Sequence, residues 1–169
     1  MTEGVRFVPV RAADGRRSML LLATQVLPGT PEEVFPFFAD AFNLERITPP
    51  WLRFRVLTAR PIAVGEGTLI DYRLRLHRVP LRWHTRITDW DPPHRFSDEQ
   101  LSGPYRVWRH LHTFEPLEGG GTIARDRVEY RMRGGPVVQS LAQRALVERD
   151  LRAIFEYRRQ RLAEIFPGA

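Results

Sequence analysis

Residues 70–96 read IDYRLRLHRVPLRWHTRITDWDPPHRF, and their alternation decides the fold. Ile70, Tyr72, Leu74 and Leu76 fall on one side of an extended chain, with Asp71, Arg73 and Arg75 on the other. After a break at His77–Pro80, Leu81, Trp83, Thr85 and Ile87 alternate with Arg82, His84 and Arg86. Strict period two is the mark of strands with one buried and one wetted face. A short break between two such runs folds them into an antiparallel hairpin. Asp91-Pro92-Pro93 ends the second run.

The pattern continues in both directions. Runs at 18–27, 51–59, 94–102, 104–115 and 122–132 read as further strands, with short breaks at Gly65–Gly67, Gly103-Pro104 and Gly119–Gly121. Residues 103–114, GPYRVWRHLHTF, put Trp108, His110, His112 and Phe114 on one face and Val107, Arg109, Leu111 and Thr113 on the other. Along 122–132, Ala124, Asp126, Val128, Tyr130 and Met132 share the inner face, and Arg125, Arg127 and Arg131 the outer. The arginines therefore collect on a solvated sheet surface.

Two helical regions flank these strands. Pro28-Gly29 stops the first strand. Thr30 as N-cap, Pro31 in the first turn and Glu33 at the capping-box position then start a helix whose apolar face is Val34, Phe35, Phe38 and Phe42. A second short helix covers 43–47 before Pro49-Pro50. Gly134-Gly135-Pro136 opens a long helix running to Phe166, with Val147, Leu151, Ile154, Phe155, Leu162 and Ile165 as its stripe. The expected fold is α+β: a seven-stranded antiparallel curved sheet wrapped around a long C-terminal helix, with two short helices after the first strand. A pocket forms between sheet and helix. Residues 1–16 are an N-terminal tail or an extra edge strand, and residues 17–169 form a single domain.

Composition narrows the chemistry. A chain of 169 residues suffices for one core. There is no cysteine, which excludes disulfides, thiolate zinc sites and cysteine nucleophiles, and a reducing cytoplasm is the default compartment. All 26 basic residues are arginine, so Schiff-base chemistry through lysine is excluded. The net charge of +6 permits contact with anionic partners without requiring it. The longest apolar run, Met19–Ala23, is far too short to span a bilayer; with Arg16-Arg17 before it, it reads as a first strand and not a leader. No glycine-rich phosphate loop appears, and none of Ser18, Ser97, Ser102 and Ser140 sits in a nucleophile elbow.

The element order, with FNLERITPPWLRF (42–54), the 70–96 stretch, DEQLSGPYRVWRHLHTFE (98–115) and RDRV (125–128), resembles the START-like or SRPBCC superfamily over residues 18–166. It is similar in particular to small bacterial SRPBCC proteins of the polyketide cyclase/dehydrase-like or ligand-binding kind. The resemblance implies the helix-grip fold and an internal pocket. It does not choose among the functions that this fold hosts.

Loop lengths set the expected register. Leu76 lies opposite Leu81, Leu74 opposite Trp83, Tyr72 opposite Thr85, Gln100 opposite Trp108 and Asp98 opposite His110, with Asp126 beside His110 and His112. One inner row then runs Ile87, Asp98, His110, Asp126. The next runs Tyr72, Thr85, Gln100, Trp108, with Tyr130 close by. In this register His112 has only Asp126 in reach. A carboxylate beside an imidazole sets its tautomer and raises its pKa, which suits general acid–base work by His110, Asp98 and Asp126. The same row can also satisfy its own hydrogen bonds, as buried polar groups must. The pocket-lining set is Tyr72, Trp83, Thr85, Phe96, Gln100, Trp108, His112, Tyr130 and Phe155. Histidines at i and i+2 on one strand are a weak metal signature, and no metal or cofactor is expected. Arg158, which interrupts the helical stripe, either snorkels outward or reaches an inner carboxylate or an anionic ligand. Trp51 packs under the short helices or gates the pocket mouth.

Three functions follow from these readings. The first is binding of a small hydrophobic ligand, lipid-, polyketide- or quinone-like, between sheet and helix. The second is a cyclase/dehydratase-type enzyme without a covalent nucleophile, using the Asp-His-Asp row as general acid/base. The family's aromatase/cyclases use pocket arginine and tyrosine residues; here strand parity supplies Tyr72 and Tyr130 but no inward arginine. The third is anionic macromolecule binding through the arginine-rich face. It ranks last, and nucleic acid is not an expected partner, because base-stacking aromatics are missing from that face. Residues 5–10 offer an edge strand for pairing as a homodimer.

Overall fold

The computed structural model describes residues 4–134 and 141–168, with the side chains of the last helix described from residue 145. The alternating runs form one antiparallel sheet of eight strands in the order β1-β2-β8-β7-β6-β5-β4-β3. These are β1 (Gly4–Arg11), β2 (Arg17–Leu27), β3 (Arg55–Val56), β4 (Leu69–Leu76), β5 (Val79–Asp91), β6 (Arg95–Ser102), β7 (Tyr105–Pro116) and β8 (Thr122–Met132). Helices α1 (Pro31–Ala39) and α2 (Leu44–Ile47) carry the chain from β2 to the far edge of the sheet, and α3 (Leu141–Ile165) packs on the inner face. The expected start of the long helix at Gly134-Gly135-Pro136 lies outside the described residues.

The α+β architecture agrees with the sequence reading, and the strand count rises from seven to eight. The added strand is β1, the edge-strand alternative for residues 1–16. A turn closed by Gly15 N–H donating to the Ala12 carbonyl at 2.9 Å returns the chain onto β2. Val5 then buries to 8% exposure in the core, and Arg131 grips Asp14 at 2.9 Å. Arg131 is thus mostly covered and not one of the solvated arginines.

Two further expectations are corrected. The strand read over 51–59 pairs only at Arg55–Val56. Pro49-Pro50 instead winds Pro50–Leu52 into a single 3-10 turn, which Arg53 ends in the left-handed region at φ 44°. The β4–β5 hairpin is also tighter than expected. His77 and Arg78 alone make the turn, both with positive φ, so Leu76 pairs with Val79. Positive φ at both central residues is the geometry that matches strand twist in two-residue hairpins. The register therefore moves by two: Leu74 faces Leu81, Tyr72 faces Trp83 and Ile70 faces Thr85. An even shift leaves every side chain on its expected face.

The core has three parts. Near β1, Val5, Leu21, Tyr105, Val128 and Tyr130 pack on Leu151 and Phe155 of α3. At the α1 end, Val34 and Phe35 meet Leu27, Ile47, Phe96, Phe114 and Leu162. The third part joins Ala41, Ile70, Tyr72 and Ile87. In α1 the Thr30 backbone N–H donates to Glu33 Oε2 at 2.8 Å, which fixes its first turn over the sheet. Among the described residues no helix is long and apolar enough to cross a membrane.

The β7–β8 hairpin depends on Gly121. Its φ is +97°, and a Cβ there would sit 2.9 Å from the Leu27 carbonyl oxygen, a backbone atom that cannot swing aside. Gly121→Ala is expected to destabilise the protein by about 1–3 kcal/mol, read as a lower urea midpoint with unchanged slope.

Candidate functional site

Between the sheet and α3 lies a cavity of about 200 Å³. Its walls are mostly apolar: Ile70, Leu74, Leu76, Leu81, Trp83 and Ile87 from the sheet, and Val147, Leu151, Ile154 and Phe155 from the helix. Tyr72, Thr85, Phe96 and Trp108 from the expected lining also reach it. Thr85 Oγ1 is buried and has no hydrogen-bond partner among the described residues.

One wall is polar, and strand pairing builds it. Asp98 lies opposite His110 across β6 and β7, as the short Gly103-Pro104 break requires. Across β7 and β8, His112 faces Asp126, and His110 faces Val128. Asp126 thus stands one row away from its expected place, yet its side chain serves both rings. Its Oδ1 accepts from His110 Nε2 and from His112 Nδ1, each at 2.8 Å. Because a carboxylate only accepts, both of those nitrogens carry protons. The opposite nitrogens, His110 Nδ1 and His112 Nε2, stand 3.9 and 3.8 Å from Asp98 Oδ2. His112 therefore has both carboxylates in reach and not Asp126 alone. The two imidazoles lie 3.8 Å apart between centroids, and Phe96 stacks on His112 at 4.2 Å.

Burial and neighbours split the two histidines. Burial, reinforced by the adjacent His112 ring, pushes the His110 pKa below the ordinary histidine value despite the Asp126 bond. Burial pushes His112 the same way, but the Asp126 hydrogen bond and the Asp98 contact outweigh it and hold its pKa above that value. Burial would raise Asp126 as well; the two ring N–H groups reverse this and keep its pKa well below the usual carboxylate range. The wall accordingly favours one positive charge on the pair and full ionisation of Asp126.

Arg158 resolves inward. Its side chain is 12% exposed, its Nη1 stands 3.7 Å from Asp126 Oδ1, and its guanidinium lies over Phe155 at 4.8 Å. Outward snorkelling is thereby corrected: Asp126 is a buried charge, and a cation from the helix offsets it. Parity along the strands cannot reveal this arginine, because it comes from α3. Asp150, which receives His77 at 2.6 Å, also lines the cavity, as do Asp40 and Asn43 beside the short helices. The helical spacing of Asp150, Ile154 and Arg158 was the available signal.

Three expected site residues take other places. Gln100 lines the hairpin and not the cavity; its amide donates to the Tyr105 carbonyl at 2.7 Å and accepts from the Tyr105 N–H at 3.2 Å. Tyr130 packs in the core against Tyr105 and Trp108. Asp126 lies behind the histidine rings, in a separate small space shared with Arg158. Trp51 stays 58% exposed and meets Tyr157 edge-on. On the outer face, arginines pair with acids, as in Arg86 with Glu99 and Arg125 with Glu115.

Comparison with known proteins agrees with this architecture. The protein family described as polyketide cyclase/dehydrase and lipid transport matches residues 21–166. No curated protein matches the chain. Among solved structures, the Zhui aromatase/cyclase from Streptomyces sp. R1128 superimposes with a TM-score of 0.66 at 16% identity, over 85% of this chain and 90% of its own. A Chromobacterium violaceum protein also reaches 0.66 at 14% identity, over 89% and 98% of the two chains. A Thermus thermophilus protein scores 0.57 at 20% identity, over 86% and 98%. With a family match across nearly the whole sheet-and-helix unit, this chain belongs to the polyketide cyclase/dehydrase and lipid transport family of the SRPBCC superfamily.

Proposed function

We propose that this protein binds a small, largely apolar molecule with one oxygen-bearing end in the cavity between sheet and α3. The observation that carries the reading is the cavity itself: about 200 Å³ of space with mostly aliphatic and aromatic walls and, on the sheet, a polar side built from Asp98, His110 and His112. Apolar walls supply most of the affinity, and a few placed polar groups set the orientation. Thr85 adds a second polar point. A buried hydroxyl without a partner costs about 1–3 kcal/mol, and a ligand oxygen beside it removes that cost. The molecule suited to this space is a planar or aliphatic carbonyl or phenol, in the range of lipid-, polyketide- and quinone-like compounds.

Native mass spectrometry after mild purification tests the reading. The expected result is a stoichiometric adduct that is released on denaturation and extracted into organic solvent. Ile154→Phe narrows the cavity from the helix side without touching the polar wall. It should abolish the adduct while shifting stability by no more than about 1–3 kcal/mol. An adduct retained at full occupancy in that variant would place the ligand elsewhere.

A further inference from the structure

The polar wall brings one atom from each of Asp98, His110 and His112 close together. Asp126 Oδ1 takes a proton-bearing nitrogen from each ring. In a neutral imidazole the second nitrogen is then a lone-pair acceptor. His110 Nδ1 and His112 Nε2 both stand beside Asp98 Oδ2, at 3.9 and 3.8 Å. The separations are too long for hydrogen bonds. Neutral His110 leaves its Nδ1 lone pair open, and a metal ion entering between the three atoms would take the place of the proton on His112 Nε2.

The spacing suits a metal ion. One ligand atom from each of Asp98, His110 and His112 lies within 4.8 Å of the other two. A point equidistant from three atoms so spaced lies about 2.2–2.5 Å from each, close to zinc–nitrogen and zinc–carboxylate bonds of about 2.0–2.2 Å. On the far side of the same two rings, a single oxygen of Asp126 already meets both at 2.8 Å, so the pair is able to share one partner atom. Asp126 then occupies the position of the carboxylate that orients metal-bound histidines from behind.

We propose that Asp98, His110 and His112 bind one divalent transition-metal ion of the zinc or iron(II) class. Two imidazoles and one carboxylate leave coordination positions open, and all three residues line the cavity, so those positions face the space where a small molecule would sit. The ligand's polar end is then an oxygen donor to the metal, such as a carbonyl, enolate or carboxylate. That last step rests on the small-molecule reading above; the metal site does not.

The test uses intact protein stripped with a chelator and titrated with Zn2+ against a chromophoric competitor. Cobalt(II) serves as a visible-absorption probe, and long-range 1H–15N spectra report the histidine side chains. One equivalent should bind, and His110 Nδ1 and His112 Nε2 should both shift. Asp98→Ala should weaken binding at least about 100-fold, and Asp126→Asn about 10–100-fold. Asp98→Ala is the informative variant, because Asp98 meets the rings only at 3.8–3.9 Å and its loss breaks no hydrogen bond of the wall. Circular dichroism confirms that it stays folded. The proposal is overturned by the absence of stoichiometric binding. Binding that survives Asp98→Ala overturns it too, since surface residues such as His77 would then be the ligands. So does a proton on His112 Nε2 that zinc fails to displace. Native mass spectrometry of the protein as purified, before stripping, separates the two ideas: an apolar adduct without metal binding sinks only the metal site, and metal binding without any adduct sinks only the ligand reading.

Discussion

Asp126→Ala is expected to lower the unfolding free energy by about 3–5 kcal/mol. The carboxylate is the shared acceptor for His110 and His112 and the nearest counter-charge to Arg158, and it is only 18% exposed. Its removal leaves two ring N–H donors and one guanidinium buried without compensation, and each such group carries its own desolvation cost. For a domain of this size the melting temperature should fall by roughly 6–20 °C. Asp126→Asn, which keeps one acceptor oxygen but removes the charge, should lose less. Urea denaturation of the three proteins measures the series. A loss below about 1 kcal/mol for the alanine variant would mean that the wall contributes little to stability, and that water or relaxation satisfies the rings at no cost.

Phe114→Ala is expected to be as severe for an unrelated reason. Phe114 is 2% exposed at the α1 end of the core. Its ring meets Phe38 at 4.9 Å, Phe35 at 5.4 Å and Phe96 at 6.2 Å. Truncation of such a residue removes its transfer energy and leaves a cavity between α1 and β7, at a cost of about 3–5 kcal/mol. Phe114→Leu, which refills most of the space, should recover much of that. The same denaturation experiment decides it: equal midpoints for alanine and leucine would show that shape, and not volume, governs this cluster. The two alanine effects should couple rather than add, by about 0.5–3 kcal/mol, because Phe96 stacks on both His112, which meets Asp126, and Phe114.

Much of the site was legible before the fold. Asp98 opposite His110 followed from the short Gly103-Pro104 break, and the pairing is as expected. Tyr72 opposite Thr85 was not, because the His77-Arg78 turn uses two residues and moves the hairpin by two. Tyr72 still lines the cavity, since an even shift preserves the face. Gln100 and Tyr130 also keep the expected face, yet one closes a hairpin and the other fills the core. Parity says which way a side chain points; whether it meets a cavity or a neighbour depends on what packs above it.

Alternation along the chain was enough to assign the inner and outer sides of β4, β5, β7 and β8, the stripe on α3 and the gathering of two histidines with two aspartates. Alternation and helical spacing are local properties of a backbone, so they survive without knowledge of partners. That Asp126 sits behind both rings, that Asp98 faces their opposite nitrogens, and that Arg158 turns in to meet Asp126 emerges only from the assembled fold. Those relations arise where strand register and the docking of α3 are settled together, by burial of the apolar surfaces and compensation of the buried charge, and no single segment encodes them.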